Sequence, residues 1–160
     1  MMRTVSRRRF HQRGLTLVEL IVAFTILLML SGMAVPLARY KVRRDREREL
    51  RIALREMRSA IDKYKDDADQ GKFGPTKMET EGYPETLEIL VEGAKIANEV
   101  DKKKKYLRRI PIDPFTGQRE WGLRSMQDDP KATSWGGQHV FDVYSKTMER
   151  APDGTPYSEW

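Results

Sequence analysis

The chain has 160 residues and a net charge of +6, with 34% charged and 39% hydrophobic residues. This composition excludes a multi-pass membrane protein and a fully disordered chain, and the length fits one domain or one domain with an appendage. The absence of cysteine excludes a disulfide scaffold, a thiolate zinc site, an iron–sulfur cluster and a cysteine nucleophile.

The positive charge is concentrated at the N-terminus, in residues 1–14. These residues contain five arginines and no acidic residue, whereas the rest of the chain has 25 basic and 24 acidic residues. Because the remainder is nearly neutral, the net charge does not indicate a nucleic-acid partner, and we expect none. Residues 1–14 therefore form a short basic leader.

Residues 15–38 form an apolar block with one charged side chain, Glu19. A helix of this length extends about 36 Å, and the hydrocarbon core of a bilayer is about 30 Å thick. One alternative is a buried core helix, but so small a domain cannot surround such a helix on every side. Another is a removed secretory signal peptide, although the block is long for one and lacks a clear small-x-small cleavage site. The block predicts a transmembrane helix.

Residues 39–69 are predicted to continue this helix as an amphipathic segment. One apolar stripe recurs at spacings of three and four residues: Leu50, Leu54, Met57, Ile61 and Tyr64. We interpret the charged residues between them as a solvated face. Since the stripe covers only about two heptads, packing on the rest of the same chain is favoured over a coiled coil.

Residues 70–160 predict a small α+β domain. Pro84 suits a helix start, and the apolar residues after it predict a short second helix that ends near Gly93. Strands are predicted at about 120–125 and 140–145. The expected fold is a long N-terminal helix packed on a small antiparallel sheet. The side chains expected to be buried there are Leu107, Ile110, Phe115, Trp121, Val140, Phe141 and Tyr144.

A short motif joins the leader to the apolar block. Gly14 ends the leader, the apolar block begins at Leu15, and Glu19 is the fifth residue after Gly14. This motif resembles the prepilin signal of the type IV pilin and pseudopilin superfamily, in which Phe usually occupies the position of Leu15. The resemblance implies cleavage by a prepilin peptidase between Gly14 and Leu15, followed by N-methylation of Leu15.

Two further residues of the apolar block fit this resemblance. Pro36 is where many pilins and pseudopilins have a proline, and it removes the hydrogen bond to the carbonyl of Gly32, which predicts a bend. A tolerated kink without function is the alternative. The resemblance implies that Glu19 pairs with the N-terminal amine of a neighbouring subunit and sets the assembly register. Snorkelling of Glu19 to the lipid head groups is the alternative.

Motifs in the C-terminal half indicate which member of the superfamily the chain resembles. Tyr83-Pro84, the segment 106–117 with its Pro-x-Asp-Pro-aromatic-x-Gly turn, Phe141–Ser145 and Pro152–Gly154 resemble the major (G-type) pseudopilin of type II secretion systems. The implied fold is type IV pilin-like. The implied function is that of a structural subunit of the periplasmic pseudopilus that drives protein secretion.

The resemblance also implies partners and a location. The partners are further copies of the chain in a homo-oligomeric filament, minor pseudopilins, the prepilin peptidase and the secretion assembly platform. The chain crosses the inner membrane once through residues 15–38, with the leader in the cytoplasm and residues 70–160 in the periplasm. Basic residues flank both ends of the apolar block, so this orientation depends on the prepilin motif rather than on charge.

We expect no cofactor, with calcium in the C-terminal loop as the alternative, and we expect no catalysis. Members of the family often bind calcium in a loop near the C-terminus, but the last ten residues contain only Asp153 and Glu159 as acids, and calcium takes six to eight oxygen ligands. His11 and His139 are isolated, and no catalytic motif occurs in the sequence. The sequence therefore predicts no enzyme.

Two other functions stay open at the level of sequence. One is a type IV pilin for adhesion, motility or DNA uptake, which differs from a pseudopilin in that its deletion would leave secretion intact. The other is an uncleaved membrane-anchored binding domain, for which Gly14 would be dispensable.

Overall fold

The computed structural model describes residues 16–75, 77–97 and 102–160, with the helical backbone alone at 33–36. The chain divides into two compact units, Met1–Val42 and Arg43–Trp160, and we call the second one the head unit. The elements are α1 (Leu17–Asp69), α2 (Glu88–Glu92), β1 (Ala94–Lys95), β2 (Lys103–Lys104), β3 (Gly122–Arg124), β4 (Asp142–Tyr144) and a 3₁₀ turn (Tyr157–Glu159).

The predicted apolar stripe of α1 forms the core of the head unit. Leu50, Met57 and Ile61 are fully buried, Leu54 is 2% exposed, and Tyr64 packs against them half-buried. Each fully buried side chain of this size contributes roughly 1.5–3 kcal/mol. The stripe packs in one cluster with residues of α2, of β4 and of the segments that connect the elements: Leu87, Leu90, Leu107, Trp121, Val140, Val143, Ala151 and Tyr157. The predicted packing within one chain is confirmed.

The strands form two antiparallel pairs, which confirms the α+β fold. In the β3–β4 pair, Gly122 lies opposite Tyr144 and Arg124 lies opposite Asp142. In the β1–β2 pair, Ala94 lies opposite Lys104. The β1–β2 pair was not predicted, because two-residue strands rich in lysine lack the alternating apolar pattern.

The short helix begins later than predicted, at Glu88 instead of Pro84. The carbonyl of Pro84 accepts a hydrogen bond from the main-chain N–H of Val140 at 2.8 Å. Pro84 therefore belongs to the connection that pairs with the segment before β4, and the helix begins four residues later.

The predicted burial of Phe141 is wrong, since its side chain is 41% exposed. Its neighbour Val140 is fully buried, whereas Phe141 lies in a bend directly before β4 and not within the strand. Of the other side chains predicted to be buried, Leu107, Trp121, Val140 and Tyr144 are buried, and Ile110 and Phe115 pack half-buried against the core.

Candidate functional site

The predicted processing site lies at the boundary of the described part of the chain. Gly14 and Leu15 fall outside the described residues, so the predicted cleavage and methylation stay predictions. The described residues begin at Thr16, which directly precedes α1.

Glu19 lies in the first turn of α1, and its main-chain N–H donates a hydrogen bond to Oγ1 of Thr16 at 3.3 Å. Thr16 therefore caps the helix, because its hydroxyl satisfies one of the N–H groups that the first turn leaves unpaired. A carboxylate in this turn also interacts favourably with the helix dipole. The sequence reasoning missed Thr16, although the spacing Thr-x-x-Glu is a capping signal.

The apolar half of α1 exposes its side chains to solvent. Leu20, Leu28 and Leu17 are 44%, 72% and 75% exposed. An 18-residue window of this helix has a mean hydropathy of 2.4, and none of the window is buried. A helix of this length and composition is able to cross a membrane, and so large an apolar surface requires a lipid or protein environment.

Gly32 and Pro36 both lie within the range of α1. A Cβ atom on Gly32 would meet no other atom within 4 Å, so close packing in the described residues does not require a glycine there. The predicted bend at Gly32 and Pro36 stays a prediction.

The segment 150–160, which we call the C-terminal loop, docks on α1 through a buried tyrosine. The ring of Tyr157 is fully buried and stacks on Phe115, with a centroid distance of 4.2 Å. Its hydroxyl donates to Oε1 of Glu47 at 2.8 Å and accepts from Nε of Arg43 at 3.2 Å. Burial raises the pKa of Tyr157. The hydroxyl therefore stays protonated and donates its hydrogen bond to Glu47.

Arginines of α1 hold the same loop at three places. Arg43 donates to the carbonyl of Arg150. The guanidinium of Arg51 lies over the ring of Trp160, 4.3 Å from the ring centroid. Arg58 donates to the main-chain oxygen of Trp160 at 2.7 Å. Most charged side chains of this part of α1 are exposed, as a solvated face requires, but Arg43 and Arg58 are half-buried and, like Arg51, contact the loop. Their spacing, which puts them beside the apolar stripe, was the missed signal.

A second polar cluster lies at the C-terminal end of α1, around Asp67. Asp67 is 5% exposed and accepts hydrogen bonds from Lys72, Lys104 and Tyr106. Burial by itself would raise the pKa of Asp67, but the hydrogen bonds from Lys104, Lys72 and Tyr106 outweigh it and hold this pKa well below its usual range. The cluster ties β2 and the segment after α1 to the helix end.

His139 is fully buried and has a structural role. Its Nε2 accepts from the main-chain N–H of Met126 at 3.2 Å, which leaves Nδ1 to donate to the carbonyl of Glu79 at 3.3 Å. Both ring nitrogens are thus engaged by the main chain. Within residues 16–75, 77–97 and 102–160, no three His, Asp or Glu side chains are grouped in a way that could hold a metal ion.

Known proteins resemble this chain both in its N-terminal motif and over most of its length. Residues 9–35 match the family described as the prokaryotic N-terminal methylation motif. A type II secretion system core protein G of Pectobacterium carotovorum subsp. carotovorum is 31% identical over 157 residues, which cover 94% of this chain and 82% of that relative. The protein of the same name from Klebsiella michiganensis is 27% identical over 151 residues, covering 91% and 89%.

No solved structure matches the chain. The relative from Pectobacterium nevertheless aligns over most of both sequences, from the methylation motif through the head unit. The pilin-like α+β fold and the apolar N-terminal helix agree with that alignment. The chain therefore belongs to the core protein G family of type II secretion systems, the G-type pseudopilins, and is anchored in a membrane through its N-terminal helix.

Proposed function

We propose that the chain is a structural subunit that is cleaved after Gly14, methylated at Leu15 and polymerised into the periplasmic pseudopilus that drives type II secretion. The methylation motif supports this proposal, because the matched residues 9–35 include Gly14, Leu15 and Glu19. The names of the two relatives, both core proteins of type II secretion systems, support it as well.

The observation that carries the proposal is the exposed apolar surface of α1. From Leu17 to Leu30 the large apolar side chains are between 44% and 75% exposed. A lipid bilayer covers this surface in the stored monomer, and the same segments of neighbouring copies cover it in the filament. The head unit then forms the outer surface of the filament. The work of the protein is mechanical, and we propose no catalytic step.

The lone carboxylate of the apolar segment gives the filament its register. Cleavage after Gly14 creates a positive amine on Leu15, and Glu19 of one subunit pairs with the amine of its neighbour. The pairing offsets the cost of burying both charges. A bend at Gly32 and Pro36 gives packed subunits freedom to adjust.

The remaining partners follow from this assembly route. The prepilin peptidase acts on the cytoplasmic side of the inner membrane, which puts the leader in the cytoplasm and the head unit in the periplasm. The assembly platform then adds the subunit to a filament that also contains minor pseudopilins.

The test is the N-terminus of the protein isolated from its native membrane, measured by mass spectrometry. We expect a chain that starts at an N-methylated Leu15. Gly14→Val should leave the leader attached, whereas Gly32→Val, the same substitution at a glycine of the apolar block, is the control and should be processed normally. An intact Met1 start in cells with an active prepilin peptidase would overturn the proposal.

The same cells test polymerisation. Glu19→Ala should be inserted and processed, but its incorporation into filaments, measured by cross-linking, should fall at least about tenfold, because an unpaired buried amine costs roughly 3–5 kcal/mol. Normal incorporation of Glu19→Ala would rule out the register role and leave the processing result unaffected.

A further inference from the structure

The C-terminal loop of this head unit does not fit a calcium ion, which the resemblance to pseudopilins implies there. Oδ1 of Asp153 accepts the main-chain N–H of Thr155 at 2.9 Å. Oε2 of Glu159 lies 3.7 Å from Nζ of Lys131. Calcium takes six to eight oxygen ligands, and these two acids, both already engaged, are the only carboxylates that the loop contains.

Main-chain carbonyls are the other oxygens with which a protein loop binds calcium. In this loop, four of them accept hydrogen bonds from guanidinium groups. Arg43 donates to the carbonyl of Arg150, and Arg150 donates to that of Gly154 at 3.1 Å. Arg124 donates to Ser158 at 3.1 Å and Arg58 donates to Trp160 at 2.7 Å. The loop therefore directs its carbonyls at cationic side chains that come from α1, β3 and the loop itself.

Two of these arginines, Arg58 and Arg124, also contact residues outside the loop. Arg58 contacts both carboxylate oxygens of Asp142, at 2.6 and 3.2 Å. Arg124 stacks on the ring of Tyr144 at 4.1 Å and donates to the carbonyl of Ala132 at 3.0 Å. A guanidinium has five donors in a rigid fork, so one arginine joins several acceptors in a fixed geometry. Its positive charge also opposes the entry of a divalent cation.

We propose that Arg43, Arg58, Arg124 and Arg150 organise the C-terminal loop in the role that calcium has in related pseudopilins. The folding of the head unit is then independent of calcium. The inference rests on the contacts of the loop and on membership of the family. It does not require that the chain polymerise.

The first test uses the full chain in detergent micelles. Its Tm is measured with a chelator and with a large excess of CaCl2, and calcium binding is measured by titration calorimetry. A native site with calcium at about a hundred times its Kd would raise the Tm by several degrees. We expect no shift and no binding heat, and a calcium-dependent rise in Tm would overturn the proposal.

The second test removes one guanidinium. Arg58→Gln should lower the Tm by several degrees, and calcium should not restore it. Arg55→Gln is the matched control, because Arg55 is exposed on the same helix one turn earlier; its Tm should stay unchanged. If Arg58→Gln and Arg55→Gln had equal Tm values, the arginines would not organise the loop.

A third test compares filament assembly with and without calcium, and it distinguishes the role of the arginines from the proposed function. Filaments in cells grown with a chelator should be as abundant as filaments in cells given calcium. A strict calcium requirement for filaments, together with a rise in Tm, would overturn the arginine proposal. If no filaments form under either condition, the proposed function fails, while the Tm and calorimetry results still decide the role of the arginines.

Discussion

At the scale of single residues, Gly122 is required by the side chain that faces it. A Cβ on Gly122 would lie 2.1 Å from Cζ of Tyr144, because the tyrosine ring lies across the glycine in the opposite strand. The ring is held there by the guanidinium of Arg124 and by a hydrogen bond from its hydroxyl to the carbonyl of Thr133 at 3.0 Å. The pair therefore fixes the register of β3 against β4.

We predict that Gly122→Ala destabilises the protein by about 1–3 kcal/mol, the usual cost of overpacking. The reason is the displacement of Tyr144, since Gly122 lies within a regular strand and alanine suits that backbone. Chemical denaturation measures the change in the free energy of unfolding.

A double-mutant cycle supplies the control. When Tyr144 is first replaced by alanine, the added methyl group of Gly122→Ala meets no ring and should cost almost nothing further. An equal cost in both backgrounds would assign the effect of Gly122→Ala to the backbone and contradict the steric explanation.

The residue scale is also where the sequence was least predictive. The spacing of Gly14 and Glu19 identified the family, because the motif is local in sequence. The contacts of Arg58 with Trp160 and of Asp67 with Tyr106 were missed, since each joins residues more than thirty positions apart along the chain. Both residues occur in charged runs, where a solvated side chain is the ordinary expectation.

At the scale of elements, α1 ends without a basic residue in its last turn. Lys72 and Lys104 reach this end from other segments and contact Asp67, so their charges complement the negative end of the helix dipole. The pairing of β1 with β2 brings Lys104 to this position. The β1–β2 pair, in which three of the four strand residues are lysines, is thus stabilised by a polar cluster.

The low pKa of Asp67 makes this cluster sensitive to acid. Because the folded-state pKa lies below the unfolded value of about 3.9, the stabilisation is complete above that pH and is lost as the pH falls toward the folded-state value. We predict that Asp67→Asn lowers the free energy of unfolding at neutral pH by about 1–3 kcal/mol. The variant should also lose less stability between neutral pH and pH 3 than the unmodified chain.

Asp66→Asn is the control for this prediction, because the neighbouring Asp66 is exposed. Denaturation curves at several pH values should be the same for Asp66→Asn and for the unmodified chain. If Asp67→Asn retained the full acid dependence, another carboxylate would be responsible for it.

The elements themselves were predictable in proportion to their length. The stripe from Leu50 to Tyr64 identified the amphipathic part of α1 correctly, because helical periodicity over four turns is a strong signal. The positions of β3 and β4 were predicted within two residues. The start of α2 was misplaced, since Pro84 suits both a helix start and an extended connection, and only its hydrogen bond with Val140 distinguishes them.

At the scale of the whole molecule, the two units differ in how they bury hydrophobic side chains. The fully buried hydrophobic residues of the described chain begin at Leu50 and end at Tyr157, so they all belong to the head unit. The described side chains of Met1–Val42 are exposed and largely apolar. The sequence indicated this division through its hydropathy, although it did not indicate that Arg43 and Glu47 hold the C-terminal loop.

This division predicts the behaviour of fragments. A fragment from Arg39 to Trp160 should be a soluble, folded monomer, because it retains the whole core and both partners of the Tyr157 hydroxyl. A fragment that starts at Arg48 keeps the same core but lacks Arg43 and Glu47. It should unfold at a Tm several degrees lower, since the buried hydroxyl loses hydrogen bonds worth about 1–3 kcal/mol. Circular dichroism and size-exclusion chromatography measure both properties. Aggregation of the longer fragment would mean that the head unit needs the apolar segment to fold, and equal Tm values would mean that Arg43 and Glu47 do not stabilise the C-terminal loop.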